Sequence, residues 1–105
     1  MSAVKLVTAV PGPKSQALME RRKKVVSVGV AAGKSGIFAA SASGSTITDV
    51  DGNRFIDFTG GIGCINAGHS DPAVVAAITA QAKLLQHTCF QVAGYESYVA
   101  LCEKL

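Results

Sequence analysis

The residues with the most evident chemical role form a glycine-rich stretch in the middle of the chain, Gly60-Gly61-Ile62-Gly63. Glycine loses more conformational entropy on folding than any other residue, so three glycines in four positions indicate a special demand on the backbone. Close approach of a ligand or of a second backbone is one such demand. We therefore expect another group to lie directly against this stretch.

A second glycine-rich stretch, Gly29 to Ser35, is close to a phosphate-binding P-loop but is one residue too short. A P-loop places four residues between its glycines so that successive backbone N–H groups can surround the phosphates, whereas only three separate Gly29 from Gly33. Gly36 follows Ser35 immediately, where a P-loop would begin its helix. The stretch does not favour nucleotide binding.

The cysteines and histidines do not predict a metal site or an activated nucleophile. The spacings of Cys64, His69, His87 and Cys89 match no zinc template, and we expect the Cys89 thiol to be buried. An odd number of cysteines, with Cys102 as the third, is typical of reduced thiols in a cytoplasmic protein.

Composition indicates a folded chain with apolar surface to spare. Of its 105 residues 49% are hydrophobic and 16% are charged, and the net charge is +3. This balance argues against disorder, and it predicts apolar surface that more chain or a second subunit covers. No apolar run reaches the roughly 18 residues of a membrane-spanning helix, and no signal peptide is evident.

The four consecutive basic residues Arg21 to Lys24 are a candidate for a nucleic-acid contact. On a helix these charges spread around the circumference, and no aromatic residue lies between them to stack on bases. Solvated helix surface is the favoured interpretation. A nucleotide- or nucleic-acid-binding module that uses this run or Lys34 is a weaker alternative.

The first half of the chain predicts a helix followed by a β-hairpin. Good helix formers fill residues 16–26, and glycines make 27–36 a loop. Residues 46–50 and 54–58 read as strands joined by a turn at Asp51-Gly52. The aspartates of this region need no acid–base role, because hairpin geometry accounts for Asp49, Asp51 and Asp57.

The second half predicts two helices. Asp71-Pro72 is a strong helix start, and the helix should run to about Gln86. After a connection over 87–94, helical periodicity resumes at Tyr95 and continues to Leu105. No capping residue ends that pattern, so we expect Leu105 to be a truncation point.

Three motifs taken together resemble the N-terminal part of the class III pyridoxal-phosphate aminotransferases. They are Asp49 to Phe58, Thr59 to His69 and Asp71 to Val75. Two further stretches, His87 to Val92 and Tyr95 to Tyr98, resemble the 4-aminobutyrate aminotransferase branch. The resemblance extends over residues 16–105.

This resemblance implies a segment of a fold-type I, α/β enzyme. The segment would contain an N-terminal helix, a small β-hairpin or sheet and then helices, without the large cofactor domain. Residues 1–15 would be a flexible N-terminus, and 16–105 would be an incomplete domain. The whole enzyme would be a cytoplasmic homodimer that uses pyridoxal 5′-phosphate to move an amino group from 4-aminobutyrate, or a related ω-amino acid, to 2-oxoglutarate.

The resemblance also assigns substrate-binding residues. Ile62 would pack on the substrate, with Gly61 and Gly63 allowing close approach. Phe90 would reach the pocket from the neighbouring subunit, with Gln91 beside it. Core packing for Phe90 and a solvated loop position for Gln91 are the alternatives.

No catalytic, cofactor-binding or metal-binding residue is assigned. The lysine that anchors the cofactor would lie beyond Leu105, and Lys83 and Lys104 match no part of its motif. The expected partners are the rest of the chain, a second subunit, an amino donor and 2-oxoglutarate, without nucleic acid or membrane. A different hypothesis is a truncated product that binds and modulates a full-length subunit.

Overall fold

The computed structural model of the protein describes residues 3–30 and 33–105. The chain divides into two compact units, which are described separately: Met1–Asp71 and Pro72–Leu105. Ala31 and Ala32, in the stretch that is close to a P-loop, lie outside the described residues. The described parts of 27–36 contain neither helix nor strand, as predicted.

The first unit opens with helix α1, Pro13–Val25, which confirms the predicted helix but begins three residues earlier. Gly12 at its N-cap has no side chain to accept a hydrogen bond. The acceptor is instead Asp51, whose carboxylate oxygens lie 2.7 Å from the Lys14 amide and 2.9 Å from the Ser15 amide. This cap comes from 36 residues along the chain, so local sequence could not reveal it.

A three-stranded antiparallel sheet follows, in the order β1-β2-β3. Its strands are β1 Ala39–Ser43, β2 Thr46–Asp49 and β3 Arg54–Ile56. The pairing of β2 with β3 confirms the predicted hairpin. Strand β1 was not predicted separately, because Ala-Ala-Ser-Ala-Ser lacks the β-branched residues that mark strands.

The turn of this hairpin is a buried polar centre, formed by Asp49, Asp51 and Asn53 and here called the polar turn. Asp49 is 2% exposed and Asn53 is fully buried. Asp49 accepts hydrogen bonds from the backbone amides of Asp51 (2.9 Å) and Asn53 (2.8 Å), and from Asn53 Nδ2 (2.9 Å). The polar groups that this turn buries are thereby satisfied, as a stable fold requires.

The polar turn also binds the N-terminal segment. Asn53 Oδ1 accepts hydrogen bonds from the amides of Val7 (2.7 Å) and Thr8 (2.9 Å). Lys5 and Arg54 pair through two backbone hydrogen bonds of 3.0 and 2.7 Å. The flexibility expected of residues 1–15 stays a prediction, and the described part of that segment makes these contacts.

The second unit contains α3, Pro72–Leu84, and α4, Glu96–Cys102. Both confirm the predicted helices, but α4 begins one residue after Tyr95 and ends at Cys102, three residues before Leu105, where the pattern placed its end. Helix α3 ends two residues before Gln86, where the pattern placed its end. The class of fold expected, helices with a small sheet, is therefore the one found.

Apolar side chains remain open to solvent in both units. None of those described is fully buried, and the whole chain exposes 8235 Å². Two separate globular proteins with the masses of the two units would together expose only about 6,600 Å². Large apolar residues such as Phe58 (91% exposed) and Leu84 (79% exposed) contribute to this area, so the apolar surface expected from composition is present.

Candidate functional site

The stretch Gly60–Gly63, assigned as helix α2, is a single turn of backbone in the left-handed region. Its φ angles are +52° at Gly60, +63° at Gly61, +59° at Ile62 and +80° at Gly63. Glycine adopts such angles without steric cost, whereas L-residues do so rarely. The three glycines are required because this turn winds in the left-handed sense.

This finding changes the reason for the glycines. A Cβ at Gly60 or Gly63 would meet no described atom within 4 Å, so no described residue approaches there. At Gly61 a Cβ would come within 3.1 Å of the Ile65 side chain. At Gly60 and Gly63 the described chain supplies no close neighbour and the backbone angle accounts for glycine, whereas at Gly61 the nearby Ile65 side chain adds to the effect of the angle.

Ile62 is the exception in the turn, because it is β-branched and still adopts φ +59° and ψ +51°. A left-handed L-residue costs roughly 1–2 kcal/mol, and β-branched residues at positive φ are true outliers. The side chain is 94% exposed, so no contact within the described chain offsets that cost. Strained residues of this kind concentrate at functional sites.

Asp57 binds the start of the turn. Its Oδ1 accepts hydrogen bonds from the Thr59 amide (2.9 Å), Thr59 Oγ1 (2.7 Å) and the Gly60 amide (3.0 Å). The bond from Thr59 Oγ1 and then that from His69 lower the pKa of Asp57 well below its ordinary value. The side chain is 4% exposed, so this carboxylate is ionised and almost fully enclosed.

His69 binds the other oxygen of the same carboxylate. Its Nε2 lies 2.7 Å from Asp57 Oδ2 and must donate, because an ionised carboxylate carries no proton. The backbone of His69 pairs with Gly44 in both directions, at 2.9 and 2.8 Å. The Asp57 amide donates to Ser45 O at 2.8 Å. The turn between β1 and β2 therefore holds both ends of the segment 58–68, here called the site loop.

Asp57 and His69 are functional-site candidates that sequence reasoning missed. The predicted strand 54–58 included Asp57 as an alternating residue, but β3 ends at Ile56 and Phe58 is 91% exposed. No short-range pattern links two residues twelve positions apart across a glycine-rich loop. A small pocket of about 180 Å³ lies beside this pair, with Ser45 and Asn66 on its walls.

Phe90 and Gln91 lie in the second unit, whereas Gly61, Ile62 and Gly63 lie in the first. The Phe90 ring meets those of Tyr95 and Tyr98 edge-on, with centroids 5.3 and 4.8 Å apart. Such aromatic pairs contribute beyond the area they bury. Phe90 nevertheless keeps 40% of its surface exposed, and Gln91 is exposed.

Other chemistry receives little support from the described residues. Over 3–30 and 33–105, no group of three histidine, cysteine or acidic side chains is placed to hold a metal ion. The buried thiol expected at Cys89 is wrong, since Cys64, Cys89 and Cys102 are all free and exposed. Within the same residues, none of the helices has the length and apolarity needed to span a membrane.

Pyridoxal phosphate, which the sequence resemblance implies, finds no holder among the described lysines of the second unit. A lysine that forms a Schiff base is activated by desolvation or by a cationic neighbour. Lys83, in the last turn of α3, and Lys104, after α4, are both exposed. Neither lysine therefore has the surroundings that would suit an anchor for the cofactor.

Comparison with known proteins identifies the class to which this chain belongs. Residues 28–105 match the family described as Aminotransferase class-III. The chain is therefore a member of the class III aminotransferases.

Particular relatives are similar over most of this chain. It is 48% identical to 4-aminobutyrate aminotransferase of Mycobacterium bovis over 101 residues, which are 96% of the chain and 22% of the relative. Identity is 49% to 4-aminobutyrate aminotransferase GabT of Escherichia coli, covering 82% of the chain and 20% of the relative. Identity is 48% to 5-aminovalerate aminotransferase DavT of Pseudomonas putida, covering 87% of the chain and 21% of the relative. The chain spans about a fifth of the length of these relatives.

Proposed function

We propose that these residues form the N-terminal part of a cytoplasmic, homodimeric transaminase that uses pyridoxal 5′-phosphate. Its reaction would move the amino group of 4-aminobutyrate, or of a related ω-amino acid, to 2-oxoglutarate. Membership of the class III family and relatives that act on 4-aminobutyrate and 5-aminovalerate support this proposal. When bound, pyridoxal phosphate supplies the electron sink of such chemistry, and residues outside this chain hold it.

The role proposed for this chain is to form part of the substrate wall and of the subunit contact. Ile62 contacts the amino donor, and Gly61 and Gly63 beside it have no side chain to prevent close approach of the substrate. Phe90 and Gln91 complete the pocket from the neighbouring subunit. The observation that carries this role is Ile62, an apolar side chain that is 94% exposed from a strained backbone. Exposed apolar groups on strained turns are typical of binding surfaces.

The first test uses the native protein, by which we mean the protein that carries these residues as isolated from its source. Its intact mass is compared with the 10.7 kDa of this chain, before and after borohydride reduction in a buffer without 4-aminobutyrate. We expect a much larger mass and a reduced pyridoxal-phosphate adduct. A mass near 10.7 kDa without an adduct would contradict the proposal.

The second test addresses Ile62 in the native protein. Ile62→Ala should raise KM for 4-aminobutyrate by at least about tenfold, because it removes three carbon atoms from the pocket and one methylene in an apolar pocket is already worth about 1–3 kcal/mol, or 10- to 200-fold. Val28→Ala is the matched control, since Val28 is also fully exposed but lies outside the site loop. Equal kinetics for both variants would remove Ile62 from the pocket.

The alternative function, a truncated product that binds a full-length subunit, is favoured by the uncovered apolar surface. Adding the 105-residue chain to an intact class III aminotransferase and following sedimentation and activity tests it. A change in both would support regulation by binding. Unchanged sedimentation and activity would eliminate it.

A further inference from the structure

The site loop is closed at its neck by several independent contacts. Asp57 and His69, at its two ends, bind each other through the 2.7 Å contact between Nε2 and Oδ2. Each is also tied by its backbone to the β1–β2 turn, Asp57 to Ser45 and His69 to Gly44. Between these fixed ends lies the left-handed turn that carries Ile62.

The turn needs an external restraint because Ile62 disfavours it. A residue held at a sparsely populated φ/ψ persists only where its surroundings over-determine the backbone. Within the site loop, the Gly63 amide bonds to Thr59 O at 3.1 Å and the Ile65 amide to Gly60 O at 2.9 Å. The residues that supply these two carbonyl acceptors, Thr59 and Gly60, also donate hydrogen bonds from their own amides to Asp57 Oδ1. The restraint therefore passes from the loop neck into the turn.

The neck is suited to this role by its burial and polarity. The Asp57 side chain is 4% exposed and uses both oxygens, one for the turn and one for His69. Enclosed charge-assisted hydrogen bonds are the stronger ones, and their geometry is the more fixed. The same carboxylate thus joins the restrained backbone to the scaffold.

We propose that Asp57 and His69 are positioning residues for the amino donor: they hold the Gly60–Gly63 turn left-handed and thereby set the direction from which Ile62 meets the substrate. This inference rests on the function proposed above. Neither side chain touches the substrate in this scheme. Their effect passes through the backbone of the turn.

Kinetics on the native protein test the proposal with a double-mutant cycle. Asp57→Ala should lower kcat/KM for 4-aminobutyrate about tenfold, mainly by raising KM. In an Ile62→Gly background the same change should have less than a twofold effect, because glycine needs no restraint and the positioned side chain is gone. Equal losses in both backgrounds would indicate general structural damage and would overturn the proposal.

Two further variants keep the test decisive if Asp57→Ala fails to fold. Asp57→Asn retains an acceptor for Thr59 and Gly60 but places an NH2 group against the His69 donor, so its kcat/KM should lie between those of Asp57→Ala and the wild type. His69→Ala removes the donor to Asp57 Oδ2 and should raise KM in the same direction as Asp57→Ala. Wild-type KM in His69→Ala would overturn the proposal. Glu103→Gln, an exposed acidic residue after α4, is the control for loss of charge.

Amide hydrogen exchange separates this inference from the proposed function. In His69→Ala, exchange at Thr59, Gly60 and Gly63 should rise at least tenfold, while amides of α3 keep their rates. This readout needs no activity, so an inactive wild-type protein would defeat the proposed function alone. Unchanged exchange in the site loop would defeat the positioning role, even in a protein that transaminates.

Discussion

Ile62 extends its side chain from a backbone that glycine would adopt more readily, and the chain tolerates this at a position open to solvent. A protein gains nothing in stability from such an arrangement. It gains a fixed direction for one apolar side chain, provided that the neighbouring backbone cannot relax. Ile62 is for this reason the residue on which the proposed site depends most.

Gly63 provides a test of the left-handed turn that is independent of substrate. A Cβ at Gly63 would have open space, so the cost of Gly63→Ala comes from φ +80° alone, and we expect a loss of about 1–2 kcal/mol in the free energy of unfolding. Gly29→Ala is the matched control, because its Cβ also has space and its φ lies outside the left-handed range. Urea unfolding of the native protein measures both. Equal effects would mean that the turn is not left-handed.

The pKa of Asp57 predicts a dependence of stability on pH. Hydrogen bonds from Thr59 and His69 lower this pKa in the folded state, so the ionised carboxylate stabilises the fold above the ordinary aspartate pKa of about 3.9. That stability is lost as the pH falls below about 4 toward the folded-state pKa. Between pH 5 and 3 the Tm of the native protein should therefore fall more steeply than that of Asp57→Asn. Parallel Tm curves would contradict the assignment.

At the scale of elements, the sequence predicted what short-range patterns determine. Helix α3 follows from Asp71-Pro72, and the β2–β3 hairpin from Asp51-Gly52, because cap and turn residues act on their immediate neighbours. Contacts between residues far apart in the sequence were not predicted. Helix α1 begins early because Asp51 caps it from the polar turn, and the restraint on the site loop comes from His69.

The site divides in the same way. Glycine content drew attention to Gly60–Gly63 as a place of close approach, which stays a prediction, and the positive φ angles are a second reason for glycine that the sequence did not reveal. Composition does not encode the sign of φ at Ile62. The substrate role proposed for Ile62 came from the family resemblance, and a pattern of residue types alone would not have suggested it.

The polar turn is expected to be a point at which one substitution weakens the first unit, because Asn53 links the hairpin to the N-terminal segment. Asn53→Ala removes the acceptor for the Val7 and Thr8 amides and a donor to Asp49, so partly buried polar groups lose their partners. Each unsatisfied group costs about 1–3 kcal/mol, and we expect a total loss of about 2–4 kcal/mol. Faster proteolysis within residues 3–9, together with a lower urea midpoint, measures it. Asn66→Ala is the control, as Asn66 is exposed, and equal loss there would contradict the prediction.

At the scale of the whole molecule, the excess of exposed area is the dominant fact. This chain exposes 8235 Å². Two globular proteins with the masses of its two units would together expose about 6,600 Å², which is less by well over 1,000 Å². Helix α3 contributes through Ile78, which is 63% exposed, and Leu84, which is 79% exposed. Such surface is suited to burial against further protein.

The three cysteines report on that burial. Because Cys64, Cys89 and Cys102 are exposed and free, the isolated 105-residue chain should react with three equivalents of a thiol reagent without denaturant. If the native protein is the larger enzyme proposed here, fewer than three of these thiols should react until it is unfolded. Mass spectrometry of labelled peptides assigns each one. Three fast thiols in the native protein would show that this surface stays open.

The left-handed turn has one further consequence, which concerns handedness itself. A backbone at φ +80° is the mirror image of one that L-residues prefer, so a D-amino acid fits there without strain. D-alanine at position 63 would retain the geometry that L-alanine opposes, with the same atoms and the same bulk. Cys64 follows Gly63 directly, so the junction between them is suited to chemical ligation of two synthetic peptides. The chain thus has, beside the strained Ile62, a ligation site through which alanine of either hand can be placed at position 63.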